Sequence, residues 1–264
     1  MQVLISVISG PEARSLVDCG MDILDVKNPR EGALGAAAAW DLKEIVHIAR
    51  DLGIPSSAAL GDLAPQAGAA SLTAYGAAVI GVDFVKTGLL HATNLQEAIM
   101  LLRAIRRAVH LVAPGPRVVA VGYGDWRLLG TLSPEDLIAA ARTARSDVVM
   151  LDTATKDGRS LLDHMSSEEL RAFVDRARDA GLEVALAGSL TGEHRDLVRD
   201  LGPDIIGARG AVCAGGDRKD QVCPDRVRQF VTMFQAPAPA RRLEAPACTG
   251  RIPPEPGCAR SSIG

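Results

Sequence analysis

Aromatic residues are scarce, making up only 3% of the 264 positions, with two tryptophans, two tyrosines and four phenylalanines. That removes one common signal of a protein–protein interface. A positive excess is missing too. The formal net charge is −3, so the chain has no basic face of the kind that nucleic acid or an anionic membrane surface requires, and neither partner is expected. No apolar run approaches the roughly 18 residues of a membrane span. The opening MQVLISVISG has no charged segment ahead of its apolar stretch and reads as a first β-strand rather than a signal peptide. The cysteines, Cys19, Cys213, Cys223, Cys248 and Cys258, are odd in number and form no C-x-x-C. A disulfide framework or zinc site is therefore not expected, and a cytoplasmic location is. The histidines are scattered with no ligand-like pair, so no metal is expected.

Lysine is scarce for a basic residue. There are 24 arginines and only five lysines, Lys27, Lys43, Lys86, Lys156 and Lys219. A chain so biased toward arginine uses it wherever a generic positive charge suffices. An amine can lose its proton near neutrality and can form a Schiff base, and a guanidinium does neither.

What the chain has in quantity is apolar residue, 47% against 23% charged, enough to bury a sizeable core. Strand-like apolar runs fall at about 3–8, 22–27, 56–61, 82–87, 117–122, 147–152, 183–188 and 204–208. Runs such as VVAVG and DVVML are apolar nearly throughout, the pattern of strands buried on both faces. Segments of helical period lie between them. Ser133-Pro134-Glu135-Asp136 and Ser166 with Glu169 read as helix starts, and Gly53 and Gly181 fall where helices stop. Eight such units in about 235 residues predict a single-domain (β/α)8 TIM barrel over 1–235. The competing doubly wound sheet usually carries a glycine fingerprint after its first strand, and SVISGPEARS has none. From 236 to 264 the chain is rich in proline, alanine and arginine without period, and a disordered tail is predicted there.

In a barrel of this kind the active site lies at the C-terminal ends of the strands. Three of the five lysines fall there: Lys27 in DILDVKNPREG, Lys86 in VDFVKTGL and Lys156 in VVMLDTATKDG. Residues two apart on a strand share a face, so Asp25 is expected to face with Lys27 and to pair with it, either catalytically or as a structural ion pair at the rim. Crowded amines lower one another's pKa, which suits covalent carbonyl chemistry. Asp152 ends the sixth strand beside Lys156. Asp62 and Asp125 occupy similar places but rank lower, because a loop aspartate is more often a turn or cap residue. After the seventh and eighth strands come AGSLTGEH and IIGARGAVCAGGDR. Gly188, Ser189 and Gly210 would let backbone N–H groups approach an anion, and Arg209 would add a bidentate phosphate donor. The residues alone therefore predict a barrel enzyme acting on a small phosphorylated carbonyl compound through a lysine Schiff base.

The stretches DVKNPREGALGA, SAALGD, DFVKTGL, VGYGDW, MLDTATKDG, LAGSL and GARGAVC, in that order over about residues 1–235, together resemble the (5-formylfuran-3-yl)methyl phosphate synthase family. The resemblance implies a (β/α)8 barrel that condenses two molecules of glyceraldehyde 3-phosphate, with loss of one phosphate and water, into the phosphorylated furan aldehyde that begins methanofuran or methylofuran. It implies Lys27 as the Schiff-base lysine and Lys86 as the proton acceptor, with Asp25, Asp152 and Lys156 as further polar residues of the site. It implies no metal and no organic cofactor. It also implies another lysine in the strand-five region of some members, where this chain has Ala120. A second aldolase or isomerase chemistry on the same fold, and a non-catalytic phospholigand-binding barrel, are the alternatives. Self-association into a homo-oligomer is left open.

Overall fold

The short doubly apolar runs form eight strands: β1 Gln2–Val7, β2 Ile23–Val26, β3 Ser56–Asp62, β4 Phe84–Gly88, β5 Arg117–Tyr123, β6 Val148–Asp152, β7 Glu183–Leu186 and β8 Ile205–Ala208. In the computed structural model, which describes residues 1–235, they pair in parallel in chain order and β8 closes on β1. This is the expected TIM barrel, with strand limits within two residues of those read from sequence. The predicted tail, 236–264, lies outside the described residues.

Among the described residues nine α-helices lie between strands and a tenth follows β8. They are α1 Gly10–Arg14, α2 Ala39–Asp51, α3 Ala67–Ile80, α4 Leu95–Val109, α5 Trp126–Leu129, α6 Pro134–Ala144, α7 Leu161–His164, α8 Ser167–Asp179, α9 Arg195–Leu201 and α10 Pro224–Gln235. Their starts follow local chemistry. Ser133 caps α6 by accepting from the Asp136 N–H, and Ser166 and Glu169 form a reciprocal capping box on α8. No helix of the described residues is long and apolar enough to cross a membrane.

The two faces of each strand feed two cores. Val3, Ile5, Val7, Leu24, Val26, Val85, Val118, Ala120, Val149, Leu151, Val184 and Leu186 pack outward under the helices. Leu4, Ile23, Ala59, Phe84, Val119, Val121, Val148, Met150, Ala185 and Ile205 fill the barrel interior. Continuous apolarity in the sequence is thus the trace of a strand covered on both sides. Ala120 belongs to the outward set, so a side chain there faces the helix layer and not the barrel mouth.

Candidate active site

The interior-facing periodicity carries charge at both ends of the barrel: Arg117 and Glu183 pair at the N-terminal end at 2.9 Å, and the amines and further carboxylates gather at the C-terminal end. On β2, Ile23 is interior and Asp25 lies one layer above it, with Lys27 just past the strand end. On β4 the same alternation runs Phe84, Lys86, and on β6 Val148, Met150, Asp152. These side chains meet around a cavity of about 720 Å³ lined in part by Lys27, Lys86, Asp152 and Lys156, and by the loops after β7 and β8.

Register explains the pairings. Asp25 is level with Ser6 on β1 and with Ser57 on β3. Ser57 is level with Phe84, and Ala59 with Lys86, so Lys86 stands one interior layer above Asp25. The small Ser57 and Ala59 leave room for the Lys86 side chain to reach back across β3. Its Nζ lies 2.7 Å from Asp25 Oδ1, with both side chains almost wholly buried. Ser6 Oγ donates to the other carboxylate oxygen at 2.7 Å. The expected Asp25–Lys27 pairing is therefore corrected: the direct partner of Asp25 is Lys86. For Lys27 the leading attractive charge is Asp152, ahead of Asp25.

Lys27 is buried at 8% exposure. Burial depresses its pKa most strongly; Asp152 opposes this, Lys86 and Lys156 add to it, and the amine comes to about 7. Near neutrality a large fraction of this side chain is an uncharged nucleophile. Asp152 is held the other way. Its burial favours the acid form, but the charges of Lys156 and Lys27 and the hydrogen bonds from Lys156 and the Thr153 N–H outweigh it, and its carboxyl lies well below the usual range. Lys156 Nζ reaches Asp152 Oδ1 at 2.9 Å and Thr153 Oγ1 at 3.1 Å. Asp152 Oδ2 is buried and has no hydrogen-bond partner among the described residues, leaving one carboxylate oxygen uncommitted there.

Around this centre, Asp125 accepts from the N–H groups of Ala154 and Thr155 at 3.0 and 2.7 Å and so clamps the loop that carries Lys156. Tyr123, interior and level with Asp152, donates a short hydrogen bond to Asp62. Burial raises the pKa of both partners. Gly88 has to be glycine for this contact, because a Cβ there would lie 1.8 Å from Asp62 Oδ1.

Comparison with known proteins now bears on this arrangement. The family model of 4-HFC-P synthase matches residues 3–231. The chain belongs to the 4-HFC-P synthase family. It is 46% identical over 222 residues to the (5-formylfuran-3-yl)methyl phosphate synthase of Archaeoglobus fulgidus, covering 84% of this chain and 94% of that one. To the protein of the same name from Methanocaldococcus jannaschii it is 44% identical over 221 residues, covering 83% and 93%. Among solved structures it is similar to KGPDC from Streptococcus mutans, with a TM-score of 0.59, 14% identity and coverage of 88% and 96%. It is also similar to deoxyribose phosphate aldolase from Aeropyrum pernix, with a TM-score of 0.58, 16% identity and coverage of 78% and 85%. At such identities the structural likeness speaks for the barrel alone.

As a member of the 4-HFC-P synthase family the chain is an enzyme, and its barrel mouth brings together four of the five expected catalytic residues along one cavity, with Asp25 beneath Lys86. Gly188, Ser189 and Gly210 also line it. Gly188 has φ +95°, and a Cβ there would lie 3.0 Å from the Thr153 backbone nitrogen, so glycine alone fits that turn. The expectation for Arg209 is corrected. It is 4% exposed, and its five N–H donors all have protein acceptors: Nε to Arg218 O, Nη1 to Ser6 O and Glu12 Oε2, Nη2 to Glu12 Oε1 and Asp220 O. No donor is left for a phosphate, and Arg209 acts as a structural knot. Sequence reasoning passed over Tyr123 and Arg218, although both sit within quoted motifs. Their signals were the interior register of β5 and an arginine among loop glycines.

Proposed function

We propose that this protein makes (5-formylfuran-3-yl)methyl phosphate from two molecules of glyceraldehyde 3-phosphate, in the route to methanofuran or methylofuran. The observation that carries the reading is the buried amine of Lys27, held at about 7 inside the cavity, where it can attack an aldehyde without first being stripped of a proton by solvent base.

Lys27 adds to the carbonyl of a triose phosphate, and loss of water gives an iminium. The iminium draws electrons from the neighbouring carbon and makes its C–H acidic. Lys86 accepts that proton. Lys86 Nζ lies 2.7 Å from Asp25 Oδ1, so the proton it takes can be handed on to that carboxylate in a single short transfer. The second triose eliminates its phosphate across C2 and C3 to give an enal, and the carbon of the resulting enamine bonds to the CH2 end of that enal, so the second aldehyde survives as the formyl group. Ring closure and loss of two waters, including the one released at the iminium step, give the aromatic furan, and release from Lys27 restores the amine. Lys156 and Asp152 supply and collect protons at the leaving oxygens. Gly188, Ser189 and Gly210 hold a substrate phosphate through backbone N–H groups. No metal or organic cofactor takes part in this scheme.

Incubation with glyceraldehyde 3-phosphate should generate a new ultraviolet absorbance from the furan aldehyde, which an aldolase or isomerase would not produce. Borohydride added during turnover should inactivate the enzyme and leave the substrate carbon on Lys27 in a peptide digest. A label on another lysine, or the absence of the chromophore, overturns the reading.

A further inference from the structure

The knot at Arg209 has a second effect. Residues 213–222 form a narrow loop closed by an antiparallel bridge between Cys213 and Val222 and by the Ala214 N–H on Gln221 O at 3.0 Å. Arg209 ties this loop down from within through the carbonyls of Arg218 and Asp220, at 2.5 and 2.9 Å. Glu12 Oε1 takes the Val222 N–H at 2.7 Å. So anchored, the loop carries Arg218 to the cavity, which its side chain lines. Arg218 Nη2 donates to the carbonyls of Gly32 and Ala33 at 2.9 and 3.2 Å, a few residues beyond Lys27. Two of its five donors are thus spent on neutral carbonyls. Its Nε and Nη1 have no partner among the described residues, and no carboxylate forms an ion pair with it there. Arg226 also lines the cavity but is exposed, and Arg209 has no donor free. Arg218 is therefore the half-buried guanidinium at this mouth with donors to spare.

We propose that Arg218 binds the phosphate of a triose in this cavity through its free Nη1 group and sets the preference for phosphorylated over unphosphorylated aldehydes. The inference deepens the triose phosphate reading and rests on it for the identity of the natural ligand. A phosphate dianion is a far stronger acceptor than the carbonyls that Arg218 already holds, and the guanidinium charge strengthens the bond it accepts. Since Nη2 stays on the loop of Gly32 and Ala33, a phosphate on the opposite side of the guanidinium would register its triose against the segment that bears Lys27.

Two measurements test this. In the first, the whole enzyme is treated with phenylglyoxal, with and without inorganic phosphate, and the modified arginines are mapped by mass spectrometry. Phosphate should slow modification of Arg218 several-fold while leaving the exposed Arg103 unchanged. Equal rates at Arg218 overturn the proposal, whatever the enzyme's activity. In the second, the rate of borohydride trapping on Lys27 is compared for glyceraldehyde 3-phosphate and glyceraldehyde. Arg218→Gln should lower the ratio of the two rates about tenfold, the loss of a charge-assisted hydrogen bond, with Arg218→Lys in between. If both rates fall by the same factor, Arg218 only props the loop and the proposal is wrong. If neither aldehyde is trapped on Lys27, the Schiff-base reading fails by itself and phosphate protection alone decides the role of Arg218.

Discussion

Lys27 is the residue on which the chemistry turns, and its depressed pKa has measurable consequences. Adduct formation should rise with pH and level off above about 7, and Lys27→Arg should abolish turnover. Asp152→Asn should move the acid limb of that profile to lower pH, because it removes the main charge that holds a proton on Lys27; a limb displaced upward would contradict the assignment. Burial of the amine also costs stability. A folded-state pKa below the unfolded 10.5 means that the unfolded chain binds more protons between the two values. The penalty is full below pH 7 and fades as pH climbs toward 10.5. Lys27→Met should therefore be inactive yet more stable than wild type. Its advantage in denaturant unfolding should shrink by about 2–3 kcal/mol from pH 6 to pH 9, at ~1.4 kcal/mol per pH unit above the folded pKa. The three lysines were legible from sequence because arginine fills nearly every other basic position. The partner of Asp25 was not. An i, i+2 rule gives a face, but only the barrel register shows that Lys86 can cross the small side chains of β3.

Among the elements, the loop between β6 and α7 has the most to lose. It carries Lys156 and is held by one carboxylate from the neighbouring unit, Asp125, through two backbone N–H groups. Asp125→Ala would leave both donors without that partner, at about 1–3 kcal/mol for a buried one. It should lower thermal stability and kcat together, and Asp125→Asn should restore part of both. Turn and cap chemistry marks Asp125 in the sequence as an ordinary loop aspartate. What distinguishes it is the position of a loop about 30 residues further on, which no local pattern contains. Helix limits were easier to read, since Ser133 and Ser166 act on N–H groups within three residues of themselves.

For the molecule as a whole, the Glu12–Arg209 pair joins the first βα unit to the last. Both side chains are buried, and Glu12 also accepts from Ile8 and Val222. Glu12→Ala would strand a buried guanidinium and should destabilise the fold by about 3–5 kcal/mol, read as a fall in the unfolding midpoint. The barrel order was visible in the alternation of strand-like and helical runs. The fate of Arg209 was not, because its acceptors lie up to 203 residues away in sequence. The same closure governs when the chain becomes reactive. Lys27, Asp25 and Lys86 leave the ribosome in the first half of synthesis, Asp152 and Lys156 in the second, and the rim is knotted only after residue 222. Until then Lys27 is an ordinary hydrated ammonium, no more open to stray metabolic aldehydes than any other lysine. Its reactivity is born with the closed barrel, so a nascent or unfolded copy carries no special risk of glycation.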